Sequence, residues 1–92
     1  MGIEYKILIQ GARPEDLVQI LKDEPLSCLP EFGMYEFRAK GRQKGEMPDA
    51  CAEVEADGLY FCDYGGEGRF IMERIIKKLE ARYAKVEKRD YE

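Results

Sequence analysis

Glu53 and Glu55, two residues apart, are the first side chains in this sequence whose spacing suits chemistry. On an extended strand they would share a face about 7 Å apart, a separation compatible with a pair of catalytic carboxylates. No neighbouring segment supplies a wall or a pocket around them. Alternating Glu is also the ordinary way to keep an open sheet face soluble. Cys62 stands between Tyr60 and Tyr64. A reactive thiol needs a cation or another device that favours the thiolate. The expected cross-strand neighbour of Cys62 is Glu53, whose charge would raise the thiol's pKa and quiet it. The chain contains no His, so acid–base work near neutral pH would require a strongly shifted Glu, Asp, Lys, Cys or Tyr. These features argue against an enzyme, and no catalytic residue is assigned.

Gly65-Gly66-Glu67-Gly68 joins an expected strand to an expected helix. Helix N-termini behind glycine turns can hold phosphate. This run matches neither GxGxxG nor GxxxxGK[ST], and Asp63 and Glu67 would repel an anion. A strand-to-helix reversal calls for Gly on conformational grounds alone. The cysteines are Cys28, Cys51 and Cys62, an odd number at long spacings with no CxxC. With no His to join them, no metal site and no cofactor is expected. The N-terminus lacks a basic segment followed by an apolar one, and Lys6 stands where a myristoylation motif needs Ser or Thr. No apolar run is long enough to span a bilayer. Free thiols without an export signal point to the cytoplasm.

Charge is unevenly distributed. The 92 residues carry a net −4, but residues 1–68 hold 7 Lys/Arg against 14 Asp/Glu, while residues 69–89 hold 8 against 3. The expected last helix is therefore a cationic rod, with Arg74, Lys77, Lys78, Arg82 and Lys85 as a docking edge or, more simply, a solvated face with Glu73–Lys77 as an i, i+4 pair. A second basic stretch holds Arg38, Lys40, Arg42 and Lys44 without an acid. A glycine-containing basic loop can follow a phosphate backbone. In outline, a β-β-β-α order with basic loops resembles double-stranded-RNA-binding modules. Those modules place a basic cluster at the start of the last helix, where this chain has Glu67, Arg69 and Glu73. An acidic chain also starts at a disadvantage on nucleic acid. Nucleic-acid association through Arg38, Lys40, Arg42, Lys44, Lys77 and Lys78 is the alternative function.

The elements that position these residues follow from periodicity. Residues 3–10 alternate, with Ile3, Tyr5, Ile7 and Ile9 on one side. Pro14-Glu15-Asp16 opens a helix whose stripe is Leu17, Ile20 and Leu21, closed before Pro25. Residues 34–39 alternate again. Asp57-Gly58 predicts a two-residue type I′ turn between strands 52–56 and 59–63, with Ala56 opposite Leu59, Glu55 opposite Tyr60, Val54 opposite Phe61 and Glu53 opposite Cys62. Met72, Ile75, Ile76, Leu79, Tyr83 and Val86 fall on one stripe and predict a last helix from about Glu67 to Arg89. Such a helix is about 35 Å long, longer than a domain of this size is wide, so its final turn is expected to protrude or fray.

The expectation is a single α+β domain over residues 1–92. It is a two-layer sandwich in the order β-α-β-β-β-α, with two helices on one face of a mainly antiparallel sheet. The opposite face would be open. It carries Glu4, Lys6, Leu8, Gln10, Glu36, Arg38, Glu53, Glu55, Tyr60, Cys62 and Tyr64, of which Glu36, Glu53, Glu55, Tyr60, Cys62 and Tyr64 are taken together as the candidate partner-binding surface. Tyrosines amid carboxylates suit a basic protein partner better than an RNA. A non-enzymatic inhibitor, immunity-type or adaptor protein is therefore expected, with Tyr60 as the anchor. Pairing of the face with a second copy of the chain would also cover it.

Overall fold

A computed structural model describes residues 2–24, 34–38 and 48–90. Its elements are β1 (Ile3–Ile9), α1 (Pro14–Lys22), β2 (Tyr35–Phe37), β3 (Ala50–Glu55), β4 (Gly58–Asp63), α2 (Gly68–Arg82) and β5 (Val86–Asp90). The strands form one antiparallel sheet in the order β2-β3-β4-β1-β5. The fold is α+β, with both helices packed on the same apolar face of the sheet.

That face is the one the alternation assigns. Ile7, Ile9, Leu59, Phe61, Ala50, Ala52, Tyr35 and Phe37 meet Leu17, Ile20 and Leu21 of α1 and Ile71, Met72, Ile75 and Leu79 of α2. Phe37 and Phe61 stack with ring centroids 6.3 Å apart. Ala50 and Ala52 on the strand between them leave room for α1, since small residues let a helix approach a sheet closely. Pro14 occupies the first turn of α1, where its missing N–H costs nothing, and Glu15 and Asp16 face the positive end of the helix dipole.

Two expectations are corrected. First, the last helix stops at Arg82 and the chain returns as β5. Tyr83 turns extended (φ −125°, ψ 141°) while its N–H still bonds the Leu79 carbonyl. Val86 then pairs with Ile9, and Lys88 with Ile7. Without β5, the whole N–H and C=O row of β1 on that side would lack a strand partner. Satisfying this row outweighs two further turns of solvated helix. Lys85, Lys88 and Arg89 thus leave the cationic rod.

Second, the hairpin turns one residue earlier than expected. Glu55 pairs with Gly58, Val54 with Leu59, Glu53 with Tyr60, Ala52 with Phe61 and Cys51 with Cys62. Ala56 and Asp57 are the two loop residues, and Gly58 is the first residue of β4. Gly58 is needed there because a Cβ would run into the carbonyl of Ile7 on the adjacent strand. Partners shift by two positions, so every side chain keeps its expected face while most gain a different neighbour.

Candidate functional site

The sheet face away from the helices is organised in three rows that follow from the register. The first runs Glu36, Cys51, Cys62, Glu4; the second runs Glu53, Tyr60, Lys6, Arg89; the third runs Glu55, Gly58, Leu8, Glu87. Glu36, Glu53, Glu55, Tyr60 and Cys62 therefore share one face. Tyr64, just past β4, closes over the same face, with its hydroxyl 3.6 Å from the Cys51 sulfur.

The rows differ in what holds them. In the first, Cys51 is 5% and Cys62 3% exposed. Gly2 and the Tyr64 ring lie so close to the Cys62 sulfur that a Cβ at Gly2 would clash with both. The Tyr64 hydroxyl is within hydrogen-bonding distance of the Cys51 sulfur, and Cys62 stands directly opposite Cys51. Burial pushes the Cys51 thiol above its usual range, with the neighbouring Cys62 and Glu36 adding to it, against a lowering contribution from the Tyr64 hydroxyl. The Tyr64 phenol is pushed up first by its bond to Cys51 and then by burial.

In the second row, the half-buried Tyr60 donates its hydroxyl to Glu4 at 2.7 Å. Burial, followed by this bond to an acceptor, drives the Tyr60 phenol far above the ordinary tyrosine value. Tyr60 is thus a fixed ring, braced at its tip. Lys6 sits between Glu55 at 2.5 Å and Asp57 at 2.6 Å. Desolvation pulls the Lys6 ammonium down, but the bonds and charges of Asp57 and Glu55 outweigh it and leave its pKa raised. Lys6 in turn holds the Asp57 carboxyl below its usual value.

Two more ion pairs lie along the face, Arg38 to Glu36 at 2.9 Å and Arg89 to Glu87 at 2.7 Å. Six carboxylates (Glu4, Glu36, Glu53, Glu55, Asp57 and Glu87) are thus set against Lys6, Arg38 and Arg89. The face is acidic by difference.

The expected effect of Glu53 on Cys62 is corrected by the register. Cys62 lies opposite Cys51, and Glu53 lies opposite Tyr60. Cys62 is buried, while Tyr60 and Tyr64 beside it are half-buried. Glu4 and Lys6 stand on the face as expected, and Cys51, which was not expected there, completes the site. The readable signal for Cys51 was its parity, two residues before Glu53 and so on the same face. A groove of about 580 Å³ opens beside the Asp57 turn between Leu8, Gln10, Lys85, Val86 and Glu87. Glu53 and Cys62 do not line it.

Of the residues of the alternative nucleic-acid surface, Arg38 follows β2 and Lys77 and Lys78 lie on α2. Arg38 is paired with Glu36. Lys78 lies 3.7 Å from Glu24, which also accepts two bonds from the Arg74 guanidinium. Arg82 lies 3.7 Å from Asp16. Much of the cationic side of α2 therefore ties down α1, and Lys77 is exposed beside it. Arg69, rather than Lys77, makes the ion pair described for Glu73, at 3.4 Å. Lys40, Arg42 and Lys44 lie outside the described residues. Among the described residues no cluster of His, Cys, Asp and Glu could hold a metal ion, and no helix is long and apolar enough to cross a membrane.

No family model matches this chain, and searches of curated proteins and of solved structures find no match.

Proposed function

We propose that this chain is a non-enzymatic protein-binding module, of the inhibitor, immunity or adaptor type, acting in the cytoplasm. Its working surface is the acidic, tyrosine-bearing sheet face, and its partner presents a basic patch. The observation that carries this reading is Tyr60, a half-exposed aromatic ring whose hydroxyl is held by Glu4 at 2.7 Å. A ring fixed before binding loses little entropy on contact, and such aromatics anchor interface centres. Tyr64 extends the contact, while Glu36, Glu53 and Glu55 supply the field that steers a cationic partner.

Charge argues for a protein rather than a nucleic acid. Phosphates would meet a carboxylate excess on this face, and Arg74, Lys78 and Arg82 of α2 are engaged with Glu24 and Asp16. A second copy of the chain is a poorer occupant, because it would bring the same acidic excess.

The test is capture from a lysate of the native host on immobilised protein, followed by mass spectrometry. Wild type is run beside the double variant Glu53→Lys with Glu55→Lys. A basic protein retained by wild type and lost from the double variant supports the reading. Retention of the same proteins by both, with the fold intact by circular dichroism, overturns it.

A further inference from the structure

We infer that Cys51 and Cys62 form a two-electron redox site, which a hydroperoxide converts to a cross-strand disulfide inside the β3–β4 hairpin. This inference is independent of the proposed partner. The geometry rests on the register. The two cysteines are direct Cα partners on adjacent antiparallel strands. Such partners stand about 4.5 or 5.5 Å apart at Cα, and both separations fall within the range of about 4.4–6.8 Å that a disulfide spans. Both side chains project to the same face, and both thiols are free and buried. Ala50 and Ala52, the strand neighbours of Cys51, point into the core instead.

The chemistry balances with hydrogen peroxide as the only oxidant. The Cys51 sulfur attacks a peroxide oxygen through the small thiolate fraction that its burial allows. The O–O bond breaks, and with one proton taken up the products are a sulfenic acid and water. The second sulfur then attacks the sulfenic sulfur and breaks the S–O bond. Its thiol proton leaves with the hydroxide as a second water. Overall, two thiols lose two protons and two electrons, and one peroxide becomes two waters. The facing thiol intercepts the sulfenic acid before a second peroxide can oxidise it further. Gly2 and Tyr64 pack close against the Cys62 sulfur, so the oxidant must be small.

The product is readable because Glu53 and Glu55 lie between the two cysteines. A Cys28→Ser background leaves only this pair. After peroxide treatment of the folded protein, the intact mass should fall by two hydrogens with no covalent dimer. Digestion with a Glu-specific protease should yield two peptides, carrying Cys51 and Cys62, joined until dithiothreitol separates them. The melting temperature should rise by about 5 °C or more, as expected for a cross-link closing a short loop. Adding Cys62→Ala should replace the two-hydrogen loss with oxygen addition at Cys51. If Cys28→Ser folds poorly, peptide mapping of the wild-type chain distinguishes a 51–62 link from any link to Cys28. Thiols left unreacted by a prolonged excess of peroxide, long enough for a buried thiol with a raised pKa to react, would overturn the inference. So would oxygen addition at both sulfurs without linkage, or a link that forms only in denaturant.

Discussion

On the helix side of the sheet, Phe37, Phe61, Ile7 and Leu59 are fully buried against α1 and α2. On the other side, the same strands present Glu36, Cys51, Cys62, Glu53, Tyr60 and Lys6 in rows joined by hydrogen bonds and ion pairs. The helix side gains free energy from area removed from water, which depends little on which apolar neighbour does the covering. The outer side gains from particular pairs, Tyr60 with Glu4 and Lys6 with Glu55 and Asp57, each of which exists only in one register. Stability therefore belongs mainly to the first face, and a specific arrangement of polar groups to the second.

The largest expected effect lies on the helix side. Phe61→Ala should destabilise the protein by about 3–5 kcal/mol through lost burial and the cavity left beside Phe37, measured by urea unfolding. A loss below about 1 kcal/mol would mean that the core has collapsed around the site and that the two faces are less different than described.

Gly58→Val acts on the register that both faces share. The added Cβ points at the Ile7 carbonyl, so β1 and β4 must separate or the hairpin must slip. A loss of about 2–4 kcal/mol is expected by the same unfolding measurement. Wild-type stability with the register unchanged would show that the close approach of β1 and β4 is not required.

The smallest effect lies on the outer face. Lys6→Met removes the cation between Glu55 and Asp57 and should lower the melting temperature only slightly, as surface ion pairs do. The sign with pH follows from the two shifted groups. The lowered Asp57 pKa gives a contribution present above its unfolded value near 4 and lost as pH falls through the folded value. The raised Lys6 pKa gives one present below its unfolded value near 10.4 and lost as pH rises through the folded value. The difference between wild type and Lys6→Met should be greatest between about pH 5 and 9 and shrink at both ends. A difference that does not vary with pH would point to lost packing of the Lys6 stem instead.

Face assignment was legible in the sequence because alternation depends only on local geometry. Ile7 and Phe61 are assigned to the core, and Tyr60 and Cys62 to the outer side, even with the hairpin partners misplaced by two. Register was less legible. Asp57-Gly58 is a strong turn signal, but the contact that makes Gly58 a strand residue comes from Ile7, far away in sequence. The end of α2 was hidden for a related reason. Val86 continues the apolar stripe of a helix equally well, and only the unpaired edge of β1 draws it into β5. The candidate site inherited both limits. Its glutamates and tyrosines were named from parity alone, whereas the facing of Cys51 and Cys62 and the Glu4 brace on Tyr60 depend on pairing between distant segments.

The most direct measurement of the proposed role of the outer face is the affinity of the captured basic partner for wild type, Tyr60→Phe and Tyr60→Ala, by isothermal titration calorimetry. Tyr60→Phe keeps the ring and gives up the bond to Glu4; Tyr60→Ala removes the anchor. Loss of about thirtyfold in Tyr60→Ala is expected, equivalent to about 2 kcal/mol at an interface centre, with a smaller loss in Tyr60→Phe. Equal affinity for all three proteins, each folded, would contradict the account and remove the tyrosine-bearing face as the docking surface.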